Sequence, residues 1–164
     1  MLIAGGDQSD GKKHLNALSS AELFNPVSGT FVKTGSMIQG RSHFAAVLLQ
    51  NGKVLVMGGN NPAGYAGILT TAELYDPYTT KWTQTGPMEI GRSDFTATLL
   101  ADGRVLVAGG GDNTTEIYDP ISGTFQMGPS MTEARVSQTA TLLQDGRVLV
   151  AGGNTDTASE MYQP

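Results

Sequence analysis

The sequence predicts an all-β fold assembled from repeated units, and three observations carry this prediction. Short segments recur along the 164 residues at spacings of 51 and then 43 residues, and periods of that size are typical of propeller blades and solenoids. Each unit contains short apolar runs joined by turn dipeptides and shows no helical periodicity. Glycine accounts for 22 residues, well above the usual share of ~7%, and such an excess requires a structural reason.

Each complete unit opens with a predicted hairpin, whose two strands we call a and b. The turn between them is Asn-Gly or Asp-Gly, a dipeptide that favours a type I′ hairpin turn. Strand b is a nearly continuous apolar run, as expected of a strand buried on both faces. The predicted a strands are 44–49, 95–100 and 139–143, and the b strands that follow them are 53–57, 104–108 and 147–151. A fourth b strand is predicted at the start of the chain, in the segment MLIAGG (1–6).

Two further strands, c and d, complete the unit. Strand c is the segment AELYDP at 72–77, which recurs with variations at 21–26, 115–120 and 159–164. Its closing proline presets φ for a turn into strand d, and strand d carries Phe31, Trp82 or Phe125. We expect these aromatics and the tyrosines of strand c to pack between successive blades. Met37, Met88 and Met131 recur between strands d and a, where they are expected to be apolar plugs.

These repeated residues resemble kelch repeats in their bacterial form. The resemblance rests on the double glycine after strand b, the Glu-x-Tyr-Asp-Pro of strand c, the aromatic beyond it and the arginine that follows. It implies a β-propeller of four-stranded antiparallel blades, with one propeller segment over 1–164 and units at 1–40 (partial), 41–91, 92–134 and 135–164 (partial). The structural repeat positions are Gly5, Gly6, Glu22, Gly58, Gly59, Glu73, Trp82, Gly109, Gly110, Glu116, Gly152, Gly153 and Glu160.

The predicted strands run b-c-d, twice a-b-c-d and then a-b-c, which is 14 strands or about 3.5 blades. A closed kelch ring has roughly six or seven blades, so we expect further blades, either from a longer chain or from homo-oligomerisation. The longer chain is favoured because Met1 stands where the other copies have valine and Pro164 ends just before the turn to strand d.

Composition excludes several classes of function. The chain has 10 Lys and Arg against 15 Asp and Glu, a net charge of −5, which argues against a general nucleic-acid or anionic-membrane surface. It has no cysteine, so disulfides, thiol catalysis and cysteine-ligated metal sites are excluded. No stretch is apolar enough to insert into a membrane, and no signal peptide is visible. The resemblance to bacterial kelch proteins implies a secreted or cell-surface protein.

The connections between strands b and c point to a binding face. From double glycine to glutamate they contain 15, 13, 5 and 6 residues, and length variation on a rigid scaffold favours recognition. The two long ones, 7–20 and 60–71, offer His14 and Tyr65 as ligand-binding candidates, with a plain solvated loop as the alternative. Asp7, Ser9 and Asp10 lack the ligand pattern of a calcium loop, so no metal site is predicted.

Three arginines precede strand a on the same predicted face, at Arg41, Arg92 and Arg135. Around a channel mouth their guanidiniums could clamp an acidic ligand. Alternatively, each forms an internal bridge with the repeated glutamate of strand c, because an unpaired charge beside apolar strands is expensive. His43 and Asp94 lie two residues after their arginines, where the third unit has Ser137, and they complete the set of ligand-binding candidates.

The pattern is typical of a non-enzymatic interaction module that binds a protein or a glycan on the b–c and d–a face, with no cofactor and no catalytic residue. The alternative is a fragment of a kelch-propeller carbohydrate-active enzyme of the oxidase, lyase or epimerase class. Galactose oxidase and its relatives have such a propeller, but their copper-radical chemistry needs a tyrosine crosslinked to a cysteine, which this chain lacks. A lyase or epimerase that uses arginine, histidine and tyrosine stays open.

Overall fold

A computed structural model describes residues 1–9, 15–61, 67–153 and 158–164, and the regular structure in these ranges is entirely β. The strands of the first half are β1 (Leu2–Ala4), β2 (Asp7–Ser9), β3 (Leu15–Ala17), β4 (Ala21–Asn25), β5 (Thr30–Lys33), β6 (Ala45–Leu48), β7 (Val54–Met57), β8 (Asn60–Asn61) and β9 (Gly67–Ile68). Those of the second half are β10 (Ala72–Asp76), β11 (Lys81–Thr85), β12 (Thr96–Leu99), β13 (Val105–Ala108), β14 (Thr115–Asp119), β15 (Thr124–Met127), β16 (Thr139–Leu142), β17 (Val148–Ala151) and β18 (Ser159–Tyr162). The described ranges contain no helix that could span a membrane.

Fourteen of the strands form four antiparallel sheets, which are the blades. Blade 1 is β1-β4-β5, blade 2 is β6-β7-β10-β11, blade 3 is β12-β13-β14-β15 and blade 4 is β16-β17-β18. The blades therefore have the predicted strand sets b-c-d, twice a-b-c-d, and a-b-c. This arrangement confirms the predicted fold class, an all-β partial propeller of four-stranded blades, although the observed a strands are one or two residues shorter than predicted.

Strand a is the innermost strand of its blade. The a strands of successive blades lie side by side, β6 next to β12 and β12 next to β16, whereas strand d forms the opposite edge of each complete sheet. Blades arranged around an axis converge at their inner edges. The strand order therefore agrees with the one that the kelch resemblance implies.

The hydrophobic core lies between successive blades. In strand β13, Val107 packs in a cluster with Leu55 of the preceding blade, and the neighbouring Leu106 packs in a second cluster with Val150 of the following blade. Successive side chains of a strand point to opposite faces of the sheet, so a central b strand is buried on both sides. This confirms the explanation given for its continuous apolar run.

The aromatic side chains of strands c and d pack against each other within a blade. Tyr75 and Trp82 lie opposite each other on strands c and d, with ring centroids 5.0 Å apart. The pair then contacts the preceding blade, because the Trp82 indole donates a hydrogen bond of 2.7 Å to the Gly35 carbonyl and the Tyr75 hydroxyl lies 2.6 Å from that of Thr34. The expected packing between blades is thus made by cross-strand pairs rather than by single rings.

The double glycine lets the blades approach closely. The Gly59 amide donates a hydrogen bond of 2.7 Å to the Arg92 carbonyl of the next blade, and the Gly59 φ of 90° lies in the region that favours glycine. A Cβ atom on Gly58 would stand 2.7 Å from the same carbonyl oxygen. Equivalent amide bonds join Gly6 to Arg41 and Gly110 to Arg135. This contact between blades accounts for much of the glycine excess.

Candidate functional site

Two sets of connections form one face of the blades, which we call the link face. The Arg41 amide, in the d–a link after blade 1, donates to the Leu18 carbonyl in the b–c connection of that blade, and Arg92 donates in the same way to Leu69. The two sets are therefore in contact. The link face comprises the described residues of the b–c connections (5–20, 58–71, 109–114 and 152–158) and the d–a links (34–44, 86–95 and 128–138).

The two long b–c connections contain short paired strands, where the sequence predicts loops. Strands β2 and β3 pair in the first connection, and β8 and β9 pair in the second. Both ends of each connection are therefore paired through the backbone, and the choice between a binding surface and a solvated connection stays a prediction. The candidates His14 and Tyr65 lie outside the described residues.

Each glutamate of strand c in blades 2 to 4 is held by the d–a link that leads into its blade. The Glu73 carboxylate accepts backbone hydrogen bonds from Ile38 at 2.7 Å and Gln39 at 3.1 Å. It also forms an ion pair of 2.8 Å with Arg41. Both side chains are buried, with 0% of Arg41 and 2% of Glu73 exposed. Three charge-assisted hydrogen bonds thus fix the link to the sheet.

The arginine also binds backbone carbonyls. Arg41 Nη1 donates to the Gly58 carbonyl at 2.8 Å and to the Thr71 carbonyl at 3.0 Å. These two carbonyls and the Glu73 carboxylate form what we call an arginine socket. The equivalent pairs in the other blades are Arg92 with Glu116 and Arg135 with Glu160.

The ligand-binding interpretation of Arg41, Arg92 and Arg135 does not fit these positions. Their guanidiniums are buried inside the blades and bonded to internal partners, so no ligand reaches them without breaking an ion pair. The alternative interpretation, an internal bridge to the repeated glutamate, describes the three pairs. Glu22 differs, because its carboxylate has no ion-pair partner among the described residues.

The position two residues after each arginine has an unusual backbone conformation. His43, Asp94 and Ser137 have φ values of 54°, 52° and 58°, although left-handed φ is uncommon outside glycine. Their backbones are linked across the blades, with the Asp94 amide donating to the His43 carbonyl at 3.1 Å and the Ser137 amide donating to the Asp94 carbonyl at 2.8 Å. The three residues form a row along the inner edge of the link face.

The His43 imidazole bridges two carboxylates. Its Nδ1 lies 2.8 Å from Asp94 Oδ1 and its Nε2 lies 3.3 Å from Asp7 Oδ2. The hydrogen bond with Asp94, and to a smaller extent the charges of both carboxylates, raise the pKa of His43 above its ordinary value, against the opposing effect of burial. All three side chains are at least a quarter exposed. We call these three residues the acidic-histidine cluster.

Asp7 is the member of this cluster that the sequence-based candidate set lacks. It follows the double glycine of the first unit directly, where the other units have Asn60, Gly111 and Asn154. A carboxylate at that variable position is the signal that points to it. Among the described residues, no group of histidine, cysteine, aspartate and glutamate side chains is arranged to hold a metal ion.

Comparison with known proteins agrees with the repeat pattern. Residues 41–89 match the family model of the Kelch motif. The fold is similar to a solved structure described as "Structure of YjhT", with a TM-score of 0.79 and 16% sequence identity. This similarity covers 93% of the present chain. The chain spans about half of that protein, since the match covers 55% of its length. No curated protein matches the sequence.

Proposed function

We propose that this chain, a kelch-repeat β-propeller segment, is a non-enzymatic scaffold that binds a protein or glycan ligand on its link face. The observation that carries the proposal is the acidic-histidine cluster. It places the partly exposed side chains of His43 and Asp94 on the row of residues with left-handed φ, with Asp7 beside them. The side chains of this row differ from blade to blade, as His43, Asp94 and Ser137, whereas the buried arginines beneath them do not. Side chains that vary from blade to blade on a repeated, rigid scaffold are typical of surfaces that recognise a ligand.

Backbone strain supports a role for this row in binding. A residue other than glycine in the left-handed region costs on the order of 1–3 kcal/mol, and such residues cluster at functional sites. Here the strain recurs in three successive blades, and the bonds between the backbones of His43, Asp94 and Ser137 hold it in place. The result is a set of side chains held on a rigid base, which lowers the ordering cost of binding.

The chemistry of the cluster favours ligands that donate hydrogen bonds. Asp7 and Asp94 are acceptors, and the His43 imidazole lies between them, so the cluster carries a net negative charge in either state of the histidine. Sugar hydroxyls and the basic side chains of a protein both supply donors to carboxylates. Ile68, which is 51% exposed in β9, adds an apolar contact on the same face.

A second candidate function is a fragment of a carbohydrate-active enzyme of the lyase or epimerase class. The contact between His43 Nδ1 and Asp94 Oδ1 favours it, because a carboxylate that orients an imidazole raises its basicity for proton transfer. A third group to bind the substrate charge would be needed beside this pair. The three repeat arginines do not supply it, because they are buried in their ion pairs.

The proposal is tested by screening the purified 164-residue chain against a glycan array and a displayed peptide library. The best binder is then measured with Asp94→Asn and with Asp102→Asn, the matched control. Asp102 lies in the a–b turn at the opposite end of the blade and is 46% exposed beside Arg104. We expect Asp94→Asn to weaken binding at least tenfold and Asp102→Asn to leave it unchanged.

Two results would contradict the proposal: no binder in either library, or equal effects of the two substitutions. Turnover of a uronic acid or other sugar substrate, lost in His43→Asn, would favour the enzymatic candidate instead. Asparagine is chosen at position 43 because it tolerates left-handed φ.

A further inference from the structure

The charged side chains that the link face presents to solvent are acidic. Among the described residues of this face, the carboxylates that are at least partly exposed are those of Asp7, Glu89, Asp94, Asp112 and Glu133. The described part of the face has lysine or arginine only as the three repeat arginines, and these are buried in their ion pairs. The described link face therefore shows solvent several carboxylates and no exposed lysine or arginine.

The opposite face, which the a–b turns form, has its charges matched in pairs. Arg104 Nη2 lies 2.7 Å from an oxygen of Asp102, and Arg147 Nη2 lies 2.6 Å from an oxygen of Asp145. These two arginines are 43% and 41% exposed. Complementary charge steers a partner to a surface and suppresses wrong partners. The difference between the faces therefore favours a basic partner for the link face.

His43 adds a titratable group to this acidic surface. The charged side chains that face its imidazole are Asp94, in the d–a link of the next blade, and Asp7 of strand β2. Arg41, which precedes His43 on the same link, is turned into blade 2 and paired with Glu73. The imidazole is therefore flanked by a carboxylate on each side.

A neutral imidazole cannot donate to both carboxylates. It has one N–H donor, and its other ring nitrogen is an acceptor. The shorter contact, 2.8 Å between Nδ1 of His43 and Oδ1 of Asp94, assigns the donor to Nδ1. The lone pair of Nε2 then faces Asp7 Oδ2 at 3.3 Å. The Asp7 carboxylate has no other donor among the described residues, so neutral His43 leaves it open to a ligand.

A protonated imidazole satisfies both carboxylates. Each ring nitrogen then carries an N–H group, and the positive charge cancels one of the two negative charges of the cluster. The hydrogen bond with Asp94, and then the charges of both carboxylates, raise the pKa of His43 against the opposing effect of burial. A positively charged ligand therefore competes with the proton of His43 for the same two carboxylates.

We propose, as an extension that rests on the proposed function, that the acidic-histidine cluster binds a lysine or arginine side chain of a basic protein segment in exchange for the proton of His43. The N–H groups of the incoming side chain donate to Asp7 and Asp94. Its charge replaces that of the imidazolium, and the proton leaves to solvent. Binding is therefore weaker at low pH, where His43 holds its proton, and stronger at high pH.

The distribution of charge and apolar surface favours a protein segment over other cations. Glu89 and Glu133 lie on the d–a links that lead into blades 3 and 4, so a chain with several cations meets several carboxylates. Lysine and arginine also carry apolar stems that pack along apolar surface. Ile38 and Ile68, which are 64% and 51% exposed on this face, provide such surface.

The test is isothermal titration calorimetry of the 164-residue chain with a pentalysine peptide at low ionic strength. Titrations at one pH in buffers with different ionisation enthalpies give the number of protons released per bound peptide. Titrations from about pH 6 to about pH 9 give the pH dependence of the affinity, and the lysine ammonium groups stay charged in this range. An NMR titration of the free chain supplies the pKa of His43.

Two matched controls separate proton exchange from general attraction to an acidic surface. His43→Asn removes the titratable ring and keeps a residue that tolerates left-handed φ. Pentalysine with acetylated side chains has the same backbone without the ammonium charges. A pentamer of glucosamine is titrated in parallel, since it offers ammonium groups on a glycan instead of a protein segment.

For the wild-type chain, we expect release of about one proton per bound peptide at pH values well below the pKa of His43. The affinity should rise by about tenfold per pH unit in that range and level off above the pKa. In His43→Asn, the release should be lost and the affinity should not depend on pH. Acetylated pentalysine should bind roughly tenfold more weakly or not at all.

Four results would overturn the proposal: no binding of pentalysine, binding without proton release, equal release in the wild type and His43→Asn, or tighter binding of the glucosamine pentamer than of pentalysine. The proposed function can survive these results. A binder from the glycan or peptide screens that loses affinity in Asp94→Asn, but releases no proton, would refute the exchange alone. A chain with no binder in either screen would refute both.

Discussion

The buried ion pair of blade 2 predicts a large loss of stability for Glu73→Ala. The substitution removes the counter-charge of Arg41, which is fully buried. It also leaves the amides of Ile38 and Gln39 without their acceptor. Glu22 provides a matched control within the same chain, because it occupies the same position of strand c and has no carboxylate partner among the described residues.

The expected magnitude follows from the burial of the pair. Breaking a buried ion pair by removing one partner costs about 3–5 kcal/mol, because the remaining charge is left uncompensated. The two unsatisfied amides are part of this cost rather than a separate addition. For Glu22→Ala we expect a change within about 0.5 kcal/mol, because this half-buried carboxylate has no partner to lose among the described residues.

The assay is urea unfolding followed by the fluorescence of Trp82, the single tryptophan of the chain. Trp82 is a suitable reporter because it is buried in the same blade as Glu73. Replacing both charged partners by apolar side chains, through Arg41→Met combined with Glu73→Leu, should restore much of the loss. A loss below about 0.5 kcal/mol for Glu73→Ala, or equal losses for Glu73→Ala and Glu22→Ala, would show that the buried ion pair does not stabilise blade 2.

Further predictions concern backbone conformation and titration. Thr80→Gly should stabilise the chain by about 1 kcal/mol in urea unfolding, because Thr80 has a φ of 57° where the other units have glycine. Gly58→Ala should destabilise it by more than Gly52→Ala, since both have left-handed φ but only Gly58 faces a carbonyl of the next blade. Asp94→Asn should lower the pKa of His43 in an NMR titration, because the hydrogen bond with Asp94 raises it in the wild type. In the wild type, protonated His43 stabilises the folded chain fully at pH values below the pKa of the histidine in the unfolded chain. This stabilisation is lost as the pH rises through the pKa of His43 in the folded chain.

The repeat pattern was sufficient to predict the blades. Asn-Gly and Asp-Gly turns, apolar b strands and the closing proline of strand c are local signals, and each specifies the hydrogen-bonded neighbour of its strand. The interior position of the Arg41 and Glu73 pair was one of two open interpretations. Residue type and spacing do not distinguish an internal ion pair from a ligand-binding arginine. The difference depends on whether the d–a link directs the arginine into the blade or towards solvent.

The candidate site was predictable only in part. His43 and Asp94 were identified by their varying repeat position, but their left-handed φ arises from backbone bonds between blades that no local pattern encodes. Asp7 joins His43 from 36 positions away in the sequence. It does so from strand β2, in a connection that the sequence predicts to be a loop. Contacts of this kind depend on how blades pack, which a single repeat does not specify.

Ligand binding on the link face can be located by mapping the amide resonances of the ¹⁵N-labelled chain during titration with the best binder from the glycan and peptide screens. We expect the largest chemical-shift changes on Asp7, His43 and Asp94 and along the adjoining d–a links. Shifts concentrated instead on the a–b turns around Asp102 and Asp145, with the acidic-histidine cluster unmoved, would contradict binding on the link face.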